Sequence, residues 1–264
     1  MRIVVVGVGR WGRIHCDKVV KADWSTLAAV VDPDESRARK VGQDFDAPYW
    51  TSWSGEIKAD LMILATPWQR VAQLVKEACG QGLPFLAEKP VTVVLDEWRH
   101  LATAREKAGV FGAVGYQMRF HPRLHELNGA RTLTVVREES GFDDLWRLVC
   151  DCGVHDLDLA LFLGGAVDSV EAVQLTDRCL EVQAVSANGC KVTWIWRLGD
   201  KLTRTITGDS TSIDLVAPSG DLMASQWQAV GKALSGHTSS VATLDDVGEV
   251  TKVLQAIKAR VQIA

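Results

Sequence analysis

The chain predicts a doubly wound α/β domain followed by a second α+β domain with an open-faced, largely antiparallel sheet. Three observations carry that expectation. An apolar strand, Arg2-Ile3-Val4-Val5-Val6, runs into Gly7-Val8-Gly9-Arg10-Trp11-Gly12, a GxGxxG turn. Short β-branched runs alternate with helical stretches over the first half. Period-two alternation then takes over in the second half.

Each part of the glycine turn has a physical task. The strand delivers the chain to a tight turn at Gly7. Gly9 leaves the backbone open to a pyrophosphate, and Gly12 lets the next helix pack closely on the strand. That helix offers free backbone N–H groups and the positive end of its dipole. A second strand, Leu27-Ala28-Ala29-Val30-Val31, ends at Asp32, twenty residues past Gly12. There a carboxylate would accept from the hydroxyls of an adenosine ribose and repel a 2′-phosphate. Asp32, Asp34 and Glu35 precede the first base, so NAD is favoured; Arg37 and Arg39 are near enough to leave NADP open.

The elements follow in order. A polar helix starts near Asp34, and the strand Asp60-Leu61-Met62-Ile63-Leu64-Ala65 ends at Thr66-Pro67. Val71, Leu74, Val75 and Ala78 then recur at helical spacing up to Gly80-Gln81-Gly82. Pro84-Phe85-Leu86-Ala87 reads as a strand capped by Glu88-Lys89-Pro90, with a helix from about Asp96 to Lys107 and a strand at Val110–Val114. Such alternation means a parallel sheet with helices on both faces. Beyond it, alternating runs occupy Leu133–Val136, Val170–Leu175, Leu180–Val185 and Lys191–Trp196. Asn188-Gly189 between the last two signals a hairpin. Gly199-Asp200 turns the chain into Leu202–Ile206, and helix returns from about Leu222. The expected division is a dinucleotide-binding domain over 1–118 and a substrate-binding and assembly domain over 119–264.

Composition excludes several functions. The 264 residues are 47% apolar and 23% charged, with a formal net charge of -4, so the basic footprint of nucleic-acid binding is missing. No apolar run has transmembrane length. The chain opens directly on its first strand, so a leader is not expected, and the six cysteines are expected as reduced thiols in a cytoplasm.

Several short strings together resemble the glucose–fructose oxidoreductase / inositol dehydrogenase (Gfo/Idh/MocA) family over essentially the whole chain. They are GVGRWGRIH at 7–15, ILATP at 63–67, AEKPVT at 87–92, VGYQMRFHP at 114–122, DCGVHDLD at 151–158 and LFLGG at 161–165. The resemblance implies NAD(P)-linked oxidation or reduction of a sugar, nucleotide sugar or polyol, by a homo-dimer or homo-tetramer assembled through the second sheet. It places the cofactor on Gly7, Gly9, Arg10, Trp11, Gly12 and Asp32, with Thr66, Pro67 and Glu88 lining the nicotinamide side. It makes Lys89, before an often cis Pro90, a catalytic residue together with Asp151 and His155, and Asp158 a structural one.

Those residue types suit the chemistry. Oxidising a secondary alcohol releases a proton, and His155 is the natural acceptor near neutrality. Lys89 as a cation would stabilise alkoxide character on the same oxygen. Asp151 lies four residues before His155, so on a helix both would meet the substrate. Arg119 is expected either to meet an anionic substrate group or to form a salt bridge between the domains. Cys150, Cys152 and His155 are metal-ligand types without an evident fourth ligand, so packing is the preferred reading and no metal is expected. His121 and His125 are expected at the cleft edge or surface, Trp11 over the turn or against its helix, and Trp194 with Trp196 on one strand face.

The chain departs from the family pattern in places. The stretch from Phe120 to Asp151 is short, Trp146-Arg147-Leu148 stand where glycines are common, Gln117 replaces an Asn, and Val71 replaces a His. Two other classes stay open at this point: a dinucleotide-binding sensor or partner subunit without turnover, and a reductase of imines or enones.

Overall fold

Runs of Ile, Val and Leu build the first sheet, because strands covered on both faces need apolar side chains throughout. The computed structural model describes residues 1–54, 56–217 and 220–261. The first half contains β1 (Arg2–Val6), α1 (Arg10–Lys21), β2 (Thr26–Val31), α2 (Glu35–Asp44), β3 (Tyr49–Trp50), β4 (Leu61–Leu64), α3 (Trp68–Gly80), β5 (Phe85–Ala87), α4 (Leu95–Ala108) and β6 (Gly112–Val114). Then come β7 (Thr132–Glu139), α5 (Leu145–Leu148), α6 (Val154–Gly164), β8 (Val167–Leu175), β9 (Cys179–Ser186), β10 (Lys191–Leu198), β11 (Thr203–Gly208) and β12 (Thr211–Asp214). Next follow α7 (Leu222–Leu234), β13 (Ala242–Thr243) and α8 (Leu244–Val261).

The first sheet has the order β3-β2-β1-β4-β5-β6, all parallel, with β13 antiparallel on the β6 edge. Ile3, Val4, Val5 and the whole of β4 are fully buried. The strand order reverses between β1 and β4, which opens a crevice beyond their carboxyl ends. Gly7, Asp32 and Ala65 follow β1, β2 and β4 at that end. Helix α1 packs through Gly12, His15, Cys16 and Val19, a single stripe at helical spacing.

The chain divides into two units, and the division corrects the expected one. Met1–Thr92, Asp96–Gly115 and Met223–Asp245 form the first; Val93–Leu95, Tyr116–Leu222 and the chain from Asp246 onward form the second. The break falls at Gly115 rather than Met118, and the segment 223–245 returns to the first unit. Three contacts hold it there. β13 pairs with β6, Gln226 donates to the Val114 carbonyl at 2.9 Å, and Trp227 stacks on Trp24 with centroids 4.5 Å apart.

The second sheet runs β12-β11-β7-β10-β9-β8. Its neighbours are antiparallel except β7 with β10, which are parallel. The helical crossover through α5 and α6 lies between those two strands in the chain, as a parallel pair requires. The Asn188-Gly189 hairpin forms as expected: Gly189 has φ +84° and its N–H donates to Ser186 at 2.8 Å. Trp194 and Trp196 share the buried face and stack in parallel, 6.4 Å apart. No described helix is long and apolar enough to cross a membrane.

Candidate functional site

The three glycines of the turn differ in what a side chain would meet. Gly7 has φ +84°, and a Cβ there would stand 2.6 Å from the Ala65 carbonyl oxygen. At Gly12 a Cβ would collide with the Gly7 carbonyl, so close packing of α1 on β1 demands glycine. Nothing lies within 4 Å of a Cβ at Gly9, whose φ of -66° any residue adopts. Folding does not require glycine there. An open backbone face at the N-terminus of α1 is what a pyrophosphate needs, so the residues present fit a dinucleotide.

Asp32 is 4% exposed and accepts three hydrogen bonds: from the Val8 amide at 2.9 Å, the Asp34 amide at 3.0 Å and the Arg37 guanidinium at 3.0 Å. Asp34 in turn caps α2 by accepting from the Arg37 amide. A cavity of about 760 Å³ brings Gly7, Gly9, Asp32, Thr66 and Pro67 together, with Trp53 in its wall. That volume suits a cofactor-sized ligand. Arg10 faces a neighbouring hollow of about 450 Å³ that it shares with Arg13, Arg37 and Lys40. Trp11 lines neither; the residue is 41% exposed and its ring lies under the Arg10 guanidinium at 5.4 Å.

Glu88 is engaged by helix α1. Its carboxylate is buried and 2.7 Å from His15 Nε2, and it does not line the large cavity. His15 was absent from the candidate residues, although the GVGRWGRIH string ends on it. Lys89 follows, half-buried, and its bond to Pro90 is cis.

In the second unit the Asp151/His155 spacing does not fall on one regular helix. Asp151 is exposed in a wide π-type turn, Val149–Gly153, whereas His155 is buried in the first turn of α6. The Tyr116 ring meets the His155 ring edge-on, with centroids 5.9 Å apart at 70°. Gly153 allows this approach of the helix to the sheet, since a Cβ there would sit 2.8 Å from Trp196 Nε1.

Two buried carboxylates anchor that helix. Asp156, fully buried, accepts from Arg137 at 2.7 and 3.0 Å, Arg204 at 3.1 Å and Trp196 at 3.1 Å. Burial raises its pKa, but the two guanidiniums outweigh that and hold the carboxyl below the usual carboxylate range. Asp158 binds Arg119, which also reaches Asp246 at 2.7 Å and lies over Phe162. Arg119 is therefore engaged in an ion pair inside the second unit, rather than between domains or facing a substrate anion. Asp158 is fully buried in that ion pair.

His125 is at the surface as expected, its Nδ1 2.7 Å from the Pro122 carbonyl. His121 is not: it is buried, its Nδ1 accepts from the Arg123 amide, and burial followed by Arg123 and Arg204 pushes its pKa down. Burial pushes the Cys150 thiol up to about 12. Among the described residues no three His, Cys, Asp or Glu side chains group as metal ligands.

A parallel sheet with glycine turn and acid at its switch point is the arrangement of a Rossmann fold. Residues 1–116 match the GFO_IDH_MocA model, an oxidoreductase family with an NAD-binding Rossmann fold, and over that stretch the chain is similar to that family. It is 25% identical over 192 residues to scyllo-inositol 2-dehydrogenase (NAD(+)) of Bacillus subtilis, covering 63% of this chain and 54% of that one. It is 29% identical over 193 residues to UDP-N-acetylglucosamine 3-dehydrogenase of Acidithiobacillus ferrooxidans, covering 67% and 60%. The matches therefore span less than two thirds of those relatives. A solved structure of the Acidithiobacillus ferrooxidans protein superimposes with a TM-score of 0.85 at 21% identity, over 98% of this chain and 97% of that one, a likeness of fold.

Proposed function

We propose that this chain is an NAD-linked oxidoreductase acting on a CH–OH group of a sugar, nucleotide sugar or polyol. The observation that carries the reading is the open face at Gly9, beside an Asp32 carboxylate held at the head of the same cavity. Relatives named for inositol and for UDP-N-acetylglucosamine support a hydroxyl-bearing ring as substrate.

Bound in that cavity, nicotinamide would supply the hydride acceptor or donor. The protein's own groups then handle one proton and the substrate's orientation. The His155 imidazole, held by Tyr116, takes or returns the alcohol proton. Lys89 stabilises the alkoxide as a fixed cation, and exposed Asp151 accepts from a substrate hydroxyl. The same reading makes the protein a cytoplasmic homo-dimer or homo-tetramer built on the outer sheet face, where Val136 and Ile195 are half-exposed neighbours.

The test is turnover of NAD with myo-inositol, scyllo-inositol and UDP-N-acetylglucosamine, followed by NADH absorbance. At least one should be oxidised, and Lys89→Ala should lower kcat by about 10²–10³-fold while NADH still binds. A Lys89→Ala protein as active as the parent would contradict the proposal.

A further inference from the structure

Helix α1 touches two places that matter. Its N-terminal turn follows Gly9, and six residues later, about 9 Å along the axis, His15 points from the buried stripe. His15 Nε2 lies 2.7 Å from Glu88 Oε1, both side chains being nearly inaccessible at 3% and 10% exposure. The carboxylate is closed off on another side by Gly115, where a Cβ would come within 3.0–3.1 Å of it. The backbone around it is equally fixed: the Glu88 amide donates to Leu64 at 2.9 Å and the Gly115 amide to Ala87 at 2.8 Å. Leu64, Ala87 and Gly115 belong to the ends of β4 and β5 and the residue after β6, so Glu88 is the junction of three strand ends with α1. The next residue is Lys89.

A buried carboxylate without its partner is costly and would turn to find another. The imidazole therefore sets where the Glu88 side chain lies, and with it the start of the Lys89 segment. We propose that His15 is a positioning residue for Lys89. Through Glu88 it links occupancy of the Gly7–Gly12 turn to the presentation of the Lys89 amine. The inference rests on the dinucleotide reading of that turn and assigns His15 no contact with substrate or nicotinamide.

ADP is the probe, because it fills the ribose and phosphate positions but lacks the nicotinamide half that could shield Lys89 directly. Acetylation of Lys89 by acetic anhydride is followed by peptide mass spectrometry, with and without saturating ADP, and ADP affinity is measured separately by calorimetry. In the parent, ADP should change the Lys89 labelling rate at least twofold. In His15→Leu the change should vanish while ADP still binds, and His15→Gln, which keeps a donor, should restore part of it. If His15→Leu does not fold, Glu88→Gln takes its place and should weaken the response at unchanged ADP affinity. ADP that fails to bind the parent removes the dinucleotide reading. ADP that binds without altering Lys89 labelling, or alters it equally in the variants, overturns the role of His15 alone.

Discussion

The Val8 amide donates to the Asp32 carboxylate at 2.9 Å, so the glycine turn after β1 and the acid after β2 form one hydrogen-bonded unit. Arg37 closes on the same carboxylate from α2. The acid proposed to meet a ribose is thus oriented by the protein's own groups, which reduces the ordering cost of binding.

Asp32→Asn keeps an oxygen for the Val8 amide and removes the charge. A hydrogen bond to a charged group is worth about 1.5–3 kcal/mol, so NADH binding should weaken by roughly 10–100-fold. NADPH should lose less, because the repulsion of its 2′-phosphate goes and Arg37 is released. Comparative titration of both nucleotides checks this; equal losses for the two would contradict it.

Gly9→Ala and Gly12→Ala separate binding from folding. The Gly9 variant should keep the parent's unfolding temperature and bind NADH at least about tenfold more weakly, a difference of about 1.4 kcal/mol. The Gly12 variant should lose about 3 kcal/mol or more of stability, since rigid backbone lies where its Cβ would go. Thermal unfolding and nucleotide titration of both proteins read the two effects apart.

Removing the carboxylate of Asp156 leaves Arg137 and Arg204 uncompensated inside the second unit. Asp156→Ala should cost about 3–5 kcal/mol, measurable as a fall in the urea midpoint. Trp194 and Trp196, both bonded to Asp156, supply an emission signal close to the change.

The same carboxyl gives a pH dependence with a definite sign. Its folded pKa lies below its unfolded value of about 3.9. Its contribution is therefore complete well above pH 4 and is lost as pH falls through the folded value. Urea midpoints of the parent should fall between about pH 5 and pH 2 more steeply than those of Asp156→Asn; parallel curves would count against the ion-pair account.

Local pattern revealed much of this molecule. The apolar run into GxGxxG, the acid twenty residues on and the Asn-Gly hairpin report on their own backbone, and the strings of the second half marked α6. Partners were not visible. His15 and Glu88 lie 73 positions apart, and Asp156 meets Arg137 and Arg204 across 19 and 48. Periodicity tells which face of a helix is buried, not which charge waits there. Arg119 looked open to a substrate because Asp246, its second partner, is 127 positions downstream. The return of α7 to the first sheet was hidden for the same reason: Trp227 meets Ser25 and Trp24 from the far end of the chain.

The most direct test of the central claim is a titration of the purified protein with NADH and with NADPH, followed by quenching of tryptophan emission, for which Trp53 in the cavity wall is well placed. Saturable binding with NADH the tighter of the two is the predicted result. Binding of neither nucleotide, or a clear preference for NADPH, would contradict the assignment of Gly7–Gly12 and Asp32 as an NAD site.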